Sequence, residues 1–275
     1  MAKLRTKTRP GQSADDGEKE ISRAGIQSVD RAFAIMELFS ERRPALSVSE
    51  IVELTGLNRS TCYRFCQTLK AIGYLDEVER RKFRPGLKAI SLARAALSSR
   101  ELPELALPYL RELQRTVGEA VNMSLLDGTD VVYVARILSD HLITLRLYVG
   151  SRLPAYATSM GRAILAFLPE QEAEAILNKS DLLPITEHTI TDRRRLKAEL
   201  QRIRARGYAI NDQEMAIGLR GVAAPILSST GRPVAAINLS IPRPLGPTEI
   251  EGSLAPRLLE AAAAISALVK QLGLD

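Results

Sequence analysis

From Ser47 to Leu75 the chain reads SVSEIVELTGLNRSTCYRFCQTLKAIGYL, and the fold turns on how that stretch is punctuated. Ser47 with Glu50 three residues later is a capping box. The hydroxyl accepts from the Glu50 N–H while the carboxylate reaches back to the Ser47 N–H. The box opens a short helix over Val48 to Thr55. Gly56 ends that helix, because a left-handed turn residue costs glycine little, and Leu57 fills the turn. Asn58 then caps a longer helix, Arg59 to Ile72, closed by Gly73. Two short helices across a glycine turn form a helix-turn-helix.

The pattern extends in both directions. Upstream, Val29, Phe33, Ile35, Met36 and Phe39 recur at helical spacing over Ser28 to Ser40, and Arg42, Arg43 and Pro44 end that helix. Downstream, Tyr74-Leu75 and Lys82-Phe83-Arg84 read as two short strands around a charged turn, Asp76 to Arg81. Three helices and a basic hairpin predict a winged helix-turn-helix over residues 25–85. Leu87, Ile90, Leu92, Ala93, Ala96 and Leu97 keep helical spacing, which predicts a linker helix at residues 86–100. Residues 1–24 are polar, with Pro10, Gly11 and Gly17, and are expected to form a disordered, solubilising tail whose Lys and Arg can trail along DNA.

Residues 101–275 alternate helical and strand-like stretches. Helices are expected at Leu105–Val117, Ser159–Leu168, Glu170–Leu177, Asp192–Arg206 and Pro247–Leu272. Strands are expected at Val121–Leu126 and Val131–Ile137, across the Asp127-Gly128 turn, at Leu142–Val149, and at Val222–Leu227 and Val234–Ile241. That mixture predicts an α+β domain with an antiparallel sheet flanked by helices.

A length of 275 residues suits two domains. The net charge of +6 is unevenly spread. Residues 1–100 carry 19 Lys/Arg against 12 Asp/Glu, and residues 101–275 carry 19 against 20. The excess positive charge is therefore N-terminal, where a polyanion would be drawn. Cys62 and Cys66 are the only cysteines, too few for a disulfide framework, so a reducing cytoplasm is expected. With two histidines, His141 and His188, there is no Cys/His cluster of metal-ligand spacing, and no metal or cofactor is expected. No basic start leads into an early apolar stretch, and the run Ala261–Val269 is too short to span a bilayer.

A helix that enters the major groove needs a polar face opposite an apolar one. Cys62, Phe65, Cys66 and Leu69 supply the apolar stripe, and the cysteines are read as core residues before a redox or metal pair. Asn58, Arg59, Ser60, Thr61, Tyr63 and Arg64 are left facing outward. Arg59 and Arg64 suit guanine or phosphate; Ser60, Thr61 and Tyr63 suit phosphate or base edges. Arg80, Arg81 and Lys82 of the hairpin would lie on the adjacent backbone or minor groove.

Several segments, in order, resemble the IclR family of bacterial regulators. They are Ile26-Gln27-Ser28-Val29-Asp30-Arg31-Ala32, Leu57 through Arg64, Gly150 through Arg162, Arg206-Gly207-Tyr208 and Val222-Ala223-Ala224-Pro225. The resemblance covers about residues 26–272, and the Arg152–Arg162 segment looks most like the subgroup that controls aromatic-acid catabolism through the β-ketoadipate pathway. It implies a GAF-like effector domain, dimers joined through the DNA-binding domains, often tetramers, and a palindromic double-stranded operator. Two recognition helices in such a dimer would sit about 34–36 Å apart.

The sensing site follows from the same resemblance. Ala157-Thr158-Ser159-Met160-Gly161 places small residues before a helix, whose N-terminus suits a carboxylate; by itself Thr158 is an ordinary N-cap. Asn238 and Ser240 share one strand face and Ile237, Leu239 and Ile241 the other. The resemblance implies effector contacts from the main chain of Ser159, Met160 and Gly161 and from the side chains of Asp212, Asn238 and Ser240. Family members often carry cysteine where this chain has Gly221, a departure expected to enlarge the pocket. Arg146 is a candidate for a second carboxylate, or a solvated residue of a strand face. The expected ligand is an aromatic acid or a β-ketoadipate-type dicarboxylate, with a short keto acid or sugar acid of another pathway as the alternative.

Catalysis is the main rival. Asp212 and Glu214 could be paired carboxylates, and Ser159 or Ser240 a nucleophile, but no G-x-S-x-G, P-loop or H-E-x-x-H motif occurs. An adaptor with a degenerate helix-turn-helix is the other, and it predicts weak DNA binding insensitive to salt.

Overall fold

In the computed structural model, the described residues are 25–40, 43–79, 81–98, 101–139 and 147–274. The expected tail, Arg42, Arg80, His141 and Arg146, and the part of the expected Leu142–Val149 strand before Leu147, lie outside them. The chain divides into two compact units, Met1–Ala96 and Leu97–Asp275.

The first unit contains α1 (Gln27–Met36), β1 (Leu46–Ser47), α2 (Val48–Thr55), α3 (Arg59–Ala71), β2 (Leu75–Glu79) and β3 (Lys82–Pro85), and α4 (Lys88–Ser98) begins within it. The capping box forms as read: Ser47 N–H donates to Glu50 Oε2 at 2.7 Å and Glu50 N–H to Ser47 Oγ at 3.3 Å. Gly56 takes φ 67°, the left-handed value that the turn requires. The hairpin gains a strand that was not expected, because Leu46 pairs with Phe83 and Ser47 with Lys82, giving the order β1-β3-β2. Ile35, Leu46, Val48, Ile51, Cys62, Cys66, Leu69, Leu75 and Phe83 make the core. Each large side chain among them contributes about 1.5–3 kcal/mol by leaving water. The expected apolar face of α1 is corrected: Ile35 is buried, whereas Val29 and Phe33 are exposed.

The second unit contains α5 (Leu102–Val117), β4 (Ala120–Asp127), β5 (Asp130–Ile137), β6 (Arg152–Pro154), a 3-10 turn (Ala155–Ala157), α6 (Ser159–Phe167), α7 (Glu170–Lys179) and α8 (Arg193–Arg206). Then follow β7 (Ala209–Asp212), β8 (Arg220–Leu227), β9 (Pro233–Ile241), α9 (Pro247–Glu249), a π turn (Ile250–Leu254) and α10 (Ala255–Leu272). Leu147 to Val149 are not strand, which corrects the expected Leu142–Val149 element where it is described.

The six strands form one antiparallel sheet, β6-β5-β4-β9-β8-β7. Strand alternation divides its residues between two cores. Val121, Met123, Val222, Ile237, Leu239 and Ile241 pack with α5 and α10. Tyr133, Ala223 and Ala236 pack with α6, α7 and α8. The helix running Pro247–Leu272 is long and apolar enough to cross a membrane by length and composition. Its Leu258, Ala262, Ile265 and Val269 are nonetheless buried in the first of these cores.

Candidate functional site

The outward face of α3 is built by its cap and its core stripe. Cys62, Cys66 and Leu69 are buried and Phe65 is half-buried, so Arg59, Ser60, Tyr63 and Arg64 are turned out and exposed, with Thr61 half-buried beside them. Burial, and then the neighbouring Cys62, pushes the Cys66 thiol up to about 12, which keeps it protonated and suits a packing role. Asn58 has its oxygen engaged by the Thr61 N–H at 2.8 Å, so it shapes the helix end as well as lying at the face. Arg59 Nη1 donates to Ser49 Oγ of α2 at 3.2 Å. The guanidinium of Arg81, in the turn before β3, lies 5.4 Å from the Tyr63 ring centroid. Lys82 is exposed. One wing residue and the α3 face are therefore in direct contact.

In the second unit a cavity opens between the sheet and the start of α6. Tyr133, Leu147, Leu153, Thr158, Ser159, Asn211, Met215, Leu219, Arg220, Gly221, Asn238 and Ser240 line it. Register explains the wall. Asn211 faces Gly221, Gly221 faces Ser240, and Asn238 faces Asn122, so all five positions share one side of the sheet. The polar groups form a chain. Asn122 Nδ2 donates to Asn238 Oδ1 at 2.9 Å and to Ser240 Oγ at 3.1 Å, and Asn238 Nδ2 donates to Ser159 Oγ at 3.3 Å.

Of the expected effector residues, Ser159, Gly221, Asn238 and Ser240 meet at this cavity. Two others, Asp212 and Gly161, do not behave as expected. Asp212 is one residue out of phase: it sits on the opposite side of β7, exposed and 2.8 Å from Arg220, and Asn211 takes its place in the wall. Gly161 uses its N–H on Thr158 Oγ1 at 3.1 Å, so it caps the helix and offers no donor to a ligand. A Cβ at 161 would also collide with the Ala155 backbone, so the glycine serves a close approach of two chain segments. The Met160 side chain is buried in the core, and its main chain lies beside Ser159 in the first turn of α6. Gly221 itself stands in the cavity wall. A Cβ at 221 would lie 2.7 Å from Ser159 Oγ, so that hydroxyl already occupies the room.

Glu214, read as one half of a possible carboxylate pair, is consumed by structure. It receives both Arg162 Nη groups at 2.5 Å and the Ile190 N–H at 2.9 Å, while Arg162 Nε donates to the Tyr156 carbonyl at 2.6 Å. Asn211 ties this buried pair to the cavity by donating to the Ala157 carbonyl at 2.6 Å and accepting the Glu214 N–H at 3.2 Å. Sequence reasoning missed Asn211, Asn122 and Tyr133. The one available hint was a polar residue two positions after the buried Ala209, on a strand too short to show alternation.

Residues 28–79 match the IclR helix-turn-helix domain, and residues 94–267 match the C-terminal domain of bacterial transcriptional regulator IclR. The Pca regulon regulatory protein of Pseudomonas putida is 37% identical over 216 residues, 78% of this chain and 74% of that one. The crystal structure of a transcriptional regulator from Rhodococcus sp. RHA1 superposes with a TM-score of 0.77 at 39% identity, covering 89% of this chain and 98% of that one. An IclR homologue from Microbacterium hydrocarbonoxydans, solved in complex with 4-hydroxybenzoate, gives 0.76 at 26% identity, covering 87% and 98%.

Proposed function

This chain belongs to the IclR family of bacterial transcriptional regulators, and from that premise we propose that it controls genes of aromatic-acid catabolism in response to an acid from that chemistry. It is a DNA-binding regulator and not an enzyme. The observation that carries the finer reading is the polar wall of Asn211, Asn238, Ser240 and Ser159 at the N-terminus of α6, where partial positive charge favours a carboxylate. The likeness to a Pca regulon regulator and to a homologue holding 4-hydroxybenzoate supports the pathway.

On the DNA side, Arg59, Ser60, Thr61, Tyr63 and Arg64 of α3 read an operator in the major groove, with Arg81 and Lys82 on the flanking backbone. The protein acts as a homodimer or tetramer in the cytoplasm, on a palindromic site. One observation favours a second reading. The Ser159 hydroxyl fills the space beside Gly221, which suits a compact ligand such as a short keto acid or sugar acid.

Selection of bound genomic fragments, with and without 4-hydroxybenzoate, protocatechuate and β-ketoadipate, tests the reading. Enrichment of sites beside aromatic-catabolism genes, altered by one of these acids, is expected. Enrichment beside sugar-acid or glyoxylate genes, with no response to the three acids, would replace it with the alternative.

A further inference from the structure

Two asparagines stand in the cavity wall, and they are oriented by different means. Asn211 is fixed by backbone groups. Its Nδ2 donates to the Ala157 carbonyl at 2.6 Å and its Oδ1 accepts the Glu214 N–H at 3.2 Å. The Asn238 side chain bonds to side chains, Asn122 on one hand and Ser159 on the other. The two ends of a carboxamide have the same shape and opposite hydrogen-bonding character. Which end of Asn238 meets Ser159 is therefore decided by Asn122.

Asn122 uses both protons of Nδ2 on the wall, one on Asn238 Oδ1 at 2.9 Å and one on Ser240 Oγ at 3.1 Å. With its oxygen engaged, Asn238 turns Nδ2 towards Ser159 Oγ at 3.3 Å. Each serine hydroxyl thus accepts from an amide and keeps its single proton for something else. Among the described residues nothing takes either proton. Both hydroxyls line the cavity. The wall accordingly offers protons, which suits an anion and disfavours a group that brings N–H donors of its own.

Asn122 is 1% exposed and does not itself line the cavity. Turned end for end, it would reverse the whole chain. Its oxygen would take protons from Asn238 and Ser240, Asn238 would show its oxygen to Ser159, and the wall would present acceptors. The neighbouring strands choose between the two arrangements. Asn122 stands between Asn238 on β9 and Arg136 on β5. Its nitrogen is engaged on the β9 side, so its oxygen is turned towards β5. A guanidinium there stays charged and favours a carbonyl oxygen over an N–H as its cross-strand neighbour. Asn122 Oδ1 is buried and has no hydrogen-bond partner among the described residues, so no closer bond opposes that preference.

We propose that Asn122 is a positioning residue that sets the hydrogen-bond polarity of the effector wall, and with it the choice of a carboxylate over the neutral carboxamide of the same shape. It acts through Asn238 and Ser240 and touches no ligand. The inference rests on the cavity being the effector site. The cavity holds about 30 Å³, room for a water or for the leading oxygen of an acid. Polarity is a property of that leading group, whatever the rest of the effector is.

The test is calorimetric titration of the full-length protein with two acids and their amides, 4-hydroxybenzoate with 4-hydroxybenzamide and pyruvate with pyruvamide. The wild type is expected to favour the acid it binds over the matching amide about thirtyfold, because the amide brings protons where the wall already has them. Asn122→Leu keeps the branched shape and removes both donors, which frees Asn238 to turn, so the preference should fall below about fivefold. Asn122→Asp supplies acceptors beside Arg136, turns Asn238 and Ser240 round, and should make the amide the tighter ligand. Thermal melting shows which variants fold, and the uncharged Asn122→Leu decides if Asn122→Asp does not. Equal weakening of acid and amide in Asn122→Leu, with the preference kept, would make Asn122 a brace of the sheet and overturn the proposal, while the acid's binding left the effector reading standing. No heat from either acid would remove that reading and this inference with it.

Discussion

Ser159 and Gly221 form a pair in which one side chain exists at the expense of the other. A methyl at 221 would sit 2.7 Å from Ser159 Oγ and 3.6 Å from Asn238 Nδ2. Gly221→Ala should therefore displace the hydroxyl, break its bond to Asn238, and weaken effector binding about tenfold, or about 1.4 kcal/mol. Ser159→Gly combined with Gly221→Ala should lose little more than Gly221→Ala alone, because the displaced hydroxyl has already left the wall. Titration of the single and double variants checks the coupling, and additive losses would refute it. The Arg162–Glu214 pair is a second residue-scale case. Both side chains are almost fully buried, at 1% and 6% exposure. Arg162→Met leaves an uncompensated carboxylate, so a loss of about 3–5 kcal/mol in urea unfolding is expected. Neither relation could be read from the chain. Arg162 was visible only as part of a family segment and Glu214 only as a possible acid, because the partners stand 52 residues apart. The resemblance implies Asp212 where the wall holds Asn211, and β7, with four residues, is too short for alternation to set the phase independently.

At the scale of elements, local chemistry was legible wherever a cap or a turn announces itself. The Ser47–Glu50 box, the Asn58 cap and the Gly56 stop all lie where the residues imply. Elements lacking such marks were not legible. Strands β1, β6 and β7 span two to four residues and exist only because a partner strand supplies their hydrogen bonds. The capping box also carries a pH signature. Hydrogen bonds from the Ser47 backbone and then its side chain hold the Glu50 carboxyl below its ordinary value of 4.5. A depressed folded-state value means the stabilisation is full above 4.5 and fades as pH falls through the lowered one. Amide exchange in the first turn of α2 should thus be slower in wild type than in Glu50→Ala at pH 6, with the difference vanishing on acidification. A gap that widened at low pH would contradict the box. The wing offers another element-scale test. Arg81 adopts φ 66°, a left-handed conformation that strains any residue with a Cβ. Arg81→Gly should relieve that strain and leave stability equal or higher, yet weaken operator binding several-fold by freeing Tyr63. Fluorescence anisotropy beside thermal melting separates the two effects, and unchanged affinity would make the Arg81–Tyr63 contact incidental.

For the molecule as a whole, charge and exposed apolar surface together describe how it would act on DNA. The positive excess lies within residues 1–100, so operator affinity should fall steeply with salt, and removing a phosphate contact should lower the slope of log K against log salt by about one. The apolar residues point to assembly. Ile26, Val29 and Phe33 recur along one side of α1, and Leu87, Ile90 and Leu92 lie at or within the start of α4, every one of them more than two-fifths exposed. Two amphipathic helices with unburied apolar sides in a unit this small suit a second copy of the same unit, the symmetric arrangement that a palindromic operator requires. Phe33→Glu with Ile90→Glu places charges on that surface without touching the core that holds α3. The double variant should sediment as a smaller species and bind a full palindrome at least a hundredfold more weakly, while its weak affinity for a single half-site stays near that of wild type. An unchanged sedimentation coefficient would refute this surface as a contact between copies. Equal losses on the half-site and the palindrome would mean that the substitutions had damaged α3 itself.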